Sequence, residues 1–246
     1  MTSQKKVALV TGANRGIGFE TARQLGQKHV TVIVAARTLK SAEETATKLK
    51  GEGIDAFPLK LDVTNAHDRE AAAKTVGDKF GKLDILINNA GVGAQDGTLV
   101  NKTIHTTEEE LQKVFGTNLF SVVAVTRAFL PLLKKSEAGR IVNLSSILGS
   151  LGLHANPNSP IASVKTFAYD ASKAALNAFT IHLAAELKDT KIKVNSAHPG
   201  WVKTDMGGDQ APMELPEGAK TSVDLALLGP DGPNGRFIHL GQELPW

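Results

Sequence analysis

The chain has 246 residues, a net charge of +3 from 28 basic and 25 acidic side chains, seven histidines and no cysteine. Without thiols there is no disulfide framework, no thiolate metal site and no cysteine nucleophile, and the scattered histidines make no close ligand pair, so no catalytic metal is expected. Acidic and basic residues are interspersed, with neither a basic cluster nor an aromatic-basic RNA signature, so no nucleic-acid partner is expected.

No linker, internal repeat or low-complexity tract divides the sequence, and its length can bury the core of one large α/β domain, read here as residues 1–246. Residues 1–6 lead into an apolar run too brief for a secretory signal core. The longest apolar stretch, 119–133, is interrupted by Arg127 and contains Pro131. It falls short of the ~20 apolar residues that span a bilayer. The expectation is a cytoplasmic protein without a membrane helix.

From the N-terminus, Val-, Ile- and Leu-rich runs at 7–10, 31–35, 56–61, 83–88, 140–144, 193–197 and 236–240 alternate with helical segments at 17–26, 39–50, 67–80, 108–133, 169–187 and 218–228. Continuous apolar runs are what parallel strands buried on both faces look like. Their alternation with helices predicts βαβ units in a Rossmann-type, doubly wound parallel sheet of about seven strands, with helices on both faces. Segments 119–133 and 169–187 are apolar almost all round. A helix on a sheet buries one stripe, so each needs a second cover. That cover is either another subunit, giving a homo-oligomer through 108–133 and 169–187, or the chain's own loops.

After the first run comes Thr11-Gly12-Ala13-Asn14-Arg15-Gly16-Ile17-Gly18, then a helix. Glycines allow a tight turn and close approach of a pyrophosphate, while the helix N-terminus offers N–H groups and a positive dipole. In the order strand, glycine turn, helix, a dinucleotide site is the expected use. From Lys28 to Ala42 there is no Asp or Glu to hold a ribose 2′-hydroxyl; the second run ends Ala35-Ala36-Arg37, and Arg15 lies in the glycine turn. Two guanidiniums without a repelling carboxylate suit a 2′-phosphate, which predicts NADPH/NADP+ as cofactor.

The only tyrosine, Tyr169, stands four residues before Lys173. On a helix the two share a face, and the ammonium would favour the phenolate, lowering a pKa that starts near ~10. An ordinary helix surface carries the same pattern by chance, so its neighbours must decide.

Those neighbours are the Gly-x-x-x-Gly-x-Gly spacing, Asn88-Asn89-Ala90-Gly91 after the fourth run, Asn118 in the segment 108–133, Ser145-Ser146 after the fifth run and Pro199-Gly200 after the sixth. Together with Tyr169 and Lys173, they resemble the short-chain dehydrogenases and reductases over essentially the full length. The resemblance implies a small-molecule carbonyl substrate, with Tyr169 giving a proton to the carbonyl oxygen and Ser146 hydrogen-bonding that oxygen. Lys173 would lower the Tyr169 pKa and hold the nicotinamide ribose, and Asn118 would support a relay water. Ser145 competes for the place given to Ser146. Cofactor contacts are implied at Gly12, Asn14, Arg15, Gly16, Ile17, Gly18, Arg37, Asn89, Ala90, Gly91, Pro199, Gly200 and Val202, besides Tyr169 and Lys173. Asp62 and Val63 match the family's adenine contact, and Thr204 a carboxamide contact. Ser172 and His198 read as structural.

Tyr169 lies 23 residues after Ser146, against about a dozen in most of the family, which marks an insertion around 150–167. It resembles monomeric carbonyl reductases, whose longer insert covers the helix face that others use for dimerisation, so both subunit arrangements stay open. Residues 201–216, rich in Met, Gly and Pro, are the expected substrate lid, with Trp201 and Met206 either lining an apolar pocket or anchoring the loop. The expected activity is NADPH-dependent reduction of a ketone, aldehyde or quinone. Alternatives are a 3-oxoacyl-thioester reductase, an alcohol dehydrogenase, or a non-catalytic NADPH-binding sensor or scaffold, against which the intact set Asn118, Ser146, Tyr169 and Lys173 argues.

Overall fold

The structure is a computed structural model that describes residues 5–93 and 103–246. Seven strands run parallel: β1 (Val7–Thr11), β2 (Thr31–Ala36), β3 (Ala56–Lys60), β4 (Ile85–Asn88), β5 (Arg140–Leu144), β6 (Lys193–Ala197) and β7 (Phe237–His239). The expected strands are therefore all present, with ends shifted by at most two residues. An eighth, β8 (Gln242–Glu243), adds antiparallel to β7. Two polar, exposed residues after the Gly241 turn carry no apolar run, so the sequence pattern does not show them.

The sheet order is β3-β2-β1-β4-β5-β6-β7-β8. From β1 the chain first builds outward through β2 and β3, then returns to place β4 on the other side of β1. The crevice outside the carboxyl ends of β1 and β4 is thus the switch point where open α/β sheets bind ligands. Alternate residues of each strand feed opposite cores. Leu9, Ile33, Leu86 and Ile141 pack with α3 (Ala66–Phe80), α5 (Ser121–Leu133) and α7 (Phe167–Glu186). Val10, Val32, Ile87 and Val142 pack with α1 (Gly16–Gln27), α2 (Leu39–Gly51) and α8 (Leu215–Ala226).

The expected single helix over 108–133 is divided. α4 (Glu108–Phe115) passes through a π turn, Gly116–Phe120, into α5. Taken as one run, Glu108–Leu133 is long and apolar enough to cross a membrane by length and composition, which corrects the estimate from the shorter stretch. In the fold it is interrupted at the π turn, where Asn118 is fully buried, and α5 commits Val125, Phe129 and Leu133 to the core. It is a core helix. Phe120, Val123 on α5 and Ile181 on α7 remain exposed.

A buried polar ladder crosses the sheet one residue below its carboxyl edge. Asn88 Nδ2 donates to Thr126 Oγ1 (3.1 Å) and Asn143 Oδ1 (2.8 Å), Asn143 Nδ2 donates to Thr180 Oγ1 (2.9 Å), and Ser196 Oγ donates to the same hydroxyl (2.9 Å). It ties β4, β5 and β6 to α5 and α7. Asn143→Ala strands one donor of Asn88 and an acceptor site of Thr180, and should lower stability by about 2–4 kcal/mol. Urea unfolding checks this; a loss under about 1 kcal/mol would mean that the ladder is dispensable.

Candidate active site

At the end of β1 the backbone does the work. Gly12 and Gly16 have φ of +63° and +56°, a region that disfavours side chains. Gly18 is held by contact instead: a Cβ there would lie 2.4 Å from both the Gly12 carbonyl and Asn89 Nδ2. Asn89 donates from Nδ2 to the Thr11 (2.8 Å) and Gly12 (3.2 Å) carbonyls, and Thr11 Oγ1 accepts from the Asn89 and Ala90 backbone N–H groups. The β1 and β4 turns are thereby stitched across the switch point, leaving the first turn of α1 free of side-chain caps. Four N-terminal amides of a helix need external partners, and a glycine cradle below them fits a pyrophosphate.

On the other side of the crevice, Asn118 closes a loop. Its Oδ1 accepts from Val92 N (2.9 Å), while Nδ2 donates to Val92 O (2.9 Å) and to Ser172 Oγ (3.0 Å), which in turn donates to the Tyr169 carbonyl (2.7 Å). A Cβ on Gly91 would stand 3.3 Å from Asn118 Oδ1 and 3.7 Å from Lys173 Nζ, so the three meet. Lys173 Nζ donates to the Leu144 carbonyl (2.7 Å) and lies 5.7 Å from the Tyr169 ring centroid.

The Ser146 side chain hydrogen-bonds the Tyr169 phenol, whereas Ser145 is buried with its hydroxyl unpaired. Geometry therefore favours Ser146 over Ser145. The turn after it, Ile147–Gly149, packs on the backbone of α7: a Cβ on Gly149 would meet the Lys173 carbonyl carbon at 2.8 Å. Burial pushes the Tyr169 phenol up to about 12, against the Ser146 hydrogen bond and with the Asp170 charge adding to the rise. This reverses the expected lowering. Lys173 is itself desolvated, pushed down to about 8, and spends its closest contact on Leu144 rather than on the phenol.

Residues 201–216, the expected lid, reach both turns. Thr204 Cγ2 lies 3.8 Å from the Cβ position of Gly16, and Met206 packs on Gly93. Trp201 Nε1 donates to the Gly207 carbonyl (2.8 Å), so the indole staples the lid's own turn. Asp205 Oδ2 pairs with Arg15 Nη1 at 2.6 Å, both exposed. A carboxylate thus does reach one of the two guanidiniums, delivered from 190 residues away, where a window of sequence cannot show it. Arg37 is exposed just past β2, and Asn14 and Ile17 border the glycine turn. Gly200 has φ +90°, next to Pro199.

Three residues expected at the cofactor also have side-chain partners within the chain. Asp62 accepts from Thr64 N and Oγ1, the Val63 side chain is in the core, and the Val202 side chain is buried where a Cβ on Gly218 would meet it at 2.6 Å. Asp62 keeps its Oδ2 free while its backbone N–H donates to Asp68 Oδ2 (3.1 Å), and for Val63 and Val202 the backbone is what remains for a ligand. His198 Nδ1 accepts from Ile147 N (3.2 Å), and burial together with His239 pushes it down to about 3, a neutral structural link as expected. Sequence reasoning missed Gly149, whose signal needs the fold, and Asp170, whose Thr-x-x-x-Asp spacing to the helix cap Thr166 was visible. No group of acidic residues and histidines able to hold a metal occurs among the described residues.

Residues 6–215 match the family model described as short chain dehydrogenase. The short-chain dehydrogenase anuI of Penicillium roqueforti is 38% identical, covering 92% of this chain and 90% of its own length. Carbonyl reductase [NADPH] 1 of Mus musculus is 33% identical, with all of both chains covered. The crystal structure of NADPH-bound carbonyl reductase from chicken fatty liver superposes with a TM-score of 0.85 at 30% identity, over 99% of this chain and all of that one. A family model matched over most of its length and relatives above 30% identity over nearly all of it show that the chain belongs to the short-chain dehydrogenase family of oxidoreductases.

Proposed function

We propose that the protein is an NADPH-dependent carbonyl reductase acting on a ketone, aldehyde or quinone. The observation that carries this reading is the hydrogen-bonded Ser146–Tyr169 pair, with Lys173 beside it, facing the glycine turn across the switch point. When bound, the dinucleotide supplies hydride. Tyr169 holds the proton: at neutral pH a phenol near 12 is fully protonated, a donor rather than a base. Ser146 supplies a small neutral donor that orients the carbonyl oxygen. Lys173 has two N–H groups left beyond its bond to Leu144, which suits ribose hydroxyls. Asn118 has already spent its amide N–H groups on Val92 and Ser172, so its part in proton relay rests on the Val92 loop that it fixes.

NADPH is favoured over NADH by Arg15 and Arg37. The Arg15–Asp205 pair does not argue against this, because an exposed ion pair is worth about 0–1 kcal/mol and yields readily to a doubly charged phosphate. The names of the relatives, carbonyl reductases with NADPH, support the same choice. The exposed Phe120, Val123 and Ile181 support a homo-oligomer through α5 and α7.

Three outcomes are expected. In an NADPH-oxidation screen against quinones, isatin-like diketones, aldehydes and acyl thioesters, at least one quinone, diketone or aldehyde is reduced, and Tyr169→Phe loses turnover by at least about 10²-fold while still binding NADPH. Retained turnover would remove Tyr169 from the chemistry. The kcat/KM with NADPH exceeds that with NADH, and Arg37→Ala lowers the first about tenfold with little change in the second, the loss of a charged hydrogen bond; a preference for NADH sinks the assignment. Sedimentation velocity at micromolar concentration shows a dimer or larger species; a lone monomer would rule out the α5–α7 contact.

A further inference from the structure

We propose that His154, inside the insertion, is a positioning residue that clips the Ser146 turn to the first turn of the Tyr169 helix. The proposal rests on the Ser146–Tyr169 reading above and adds to it a third group from a segment that most of the family lacks.

His154 belongs to α6 (Leu151–Ala155), a short helix that the insertion forms, and its side chain is 13% exposed. All its ring contacts are made. Lys165 Nζ lies 3.1 Å from Nδ1, and Nε2 lies 2.9 Å from the Leu148 carbonyl and 3.4 Å from Asp170 Oδ2. An ammonium can only donate, so Nδ1 accepts and the ring proton sits on Nε2, where it donates to the Leu148 carbonyl. The tautomer follows from the partners.

Both ends of this clip stop next to the site. Leu148 N donates to Ser146 Oγ at 3.2 Å, so one residue carries the Ser146 hydroxyl on its N–H and His154 on its carbonyl. Asp170 follows Tyr169 directly, and its carboxylate accepts from Thr166 N (2.9 Å) and Thr166 Oγ1 (2.6 Å), closing the first turn of α7. The charged groups facing the ring are Asp170 and Lys165, one on each side. Any tilt of His154 therefore reaches the serine through Leu148 and the tyrosine through Asp170. The mutual placement of two reacting groups is sensitive: a shift of ~1 Å can cost about 10²-fold in rate.

Because Tyr169 is the only tyrosine, protein grown with ring-labelled ¹³Cζ tyrosine gives one NMR resonance that reports its hydrogen bond. Ser146→Ala is expected to move that resonance and His154→Ala to move it the same way. His154→Gln, which keeps an N–H donor, should restore part of the shift, and the exposed, remote His67→Ala should leave it in place. With the best carbonyl of the screening panel, His154→Ala should lower kcat about tenfold while the NADPH Kd, read by fluorescence, stays within twofold. Should His154→Ala fail to fold, Lys165→Met decides: it frees Nδ1 and is expected to give a smaller shift of the same sign. A resonance unmoved in folded His154→Ala, a His154→Gln variant as impaired as the alanine, or NADPH affinity falling in step with kcat each overturn the proposal. A panel without turnover would count against the proposed function alone, since the resonance still tests the clip.

Discussion

A buried ammonium held by a backbone carbonyl is the constraint around which this site is arranged. Lys173 is 6% exposed, makes no ion pair among the described residues, and donates to the Leu144 carbonyl at the end of β5. Desolvation of a cation is costly unless each N–H finds an acceptor, and one carbonyl satisfies only one of three. The charge is therefore held at a disadvantage, which is why it is pushed down to about 8. Residues around it leave room instead of adding a carboxylate. Gly91 and Gly149 have no Cβ where one would press on Asn118 and on the Lys173 backbone. A carboxylate would neutralise the ammonium and occupy its remaining N–H groups.

The two halves of the crevice are built by different means. On the β1 side, main-chain groups and glycines shape the cradle, and Thr11 and Asn89 hold two turns together by bonds to backbone. Such a surface depends little on side-chain rotamers. On the β5 side, a chain of side chains sets the positions: Asn118 to Ser172, Ser172 to the Tyr169 carbonyl, Ser146 to the phenol. The buried ladder Asn88–Asn143–Thr180 lies directly beneath and fixes the spacing of α7 against β4 and β5. Proton chemistry needs groups at fixed separations, and a satisfied polar network supplies them with less slack than apolar packing alone.

Local features were legible in the sequence, and long-range ones were not. The parallel strands are legible because most are runs of buried β-branched and aliphatic residues, as in β1, β2 and β4, and the glycine turn because its conformation excludes side chains. Tyr169 and Lys173 share a helix face, as their spacing requires. The π turn at Gly116–Phe120 was invisible because its residues read as continuing helix; the widened turn exists because the Asn118 amide bonds Val92, 26 residues away. Asp205 was invisible beside Arg15 for the same reason. The Tyr169 pKa was misjudged because spacing along a helix says which charges are near but not how much water remains. Here desolvation outweighs the ammonium, whose shortest bond points to Leu144.

That reversal bears on how the phenol can release its proton. A tyrosine serving an alcohol oxidation must first give up its proton, and with a phenol near 12 only a minute fraction is phenolate at neutral pH; each unit of pKa corresponds to about 1.4 kcal/mol. A tyrosine serving a reduction starts protonated, but a phenol near 12 is also a weaker acid than an ordinary one, so burial makes proton release harder in either direction. The burial of Tyr169 and the adjacent Asp170 charge both favour the protonated form. Only the Ser146 hydrogen bond opposes them, and Ser146 is the group placed to turn toward a carbonyl oxygen. As arranged, the phenol keeps its proton at neutral pH, and easing its release falls to groups that reach it within the site, of which Ser146 is the one already in contact.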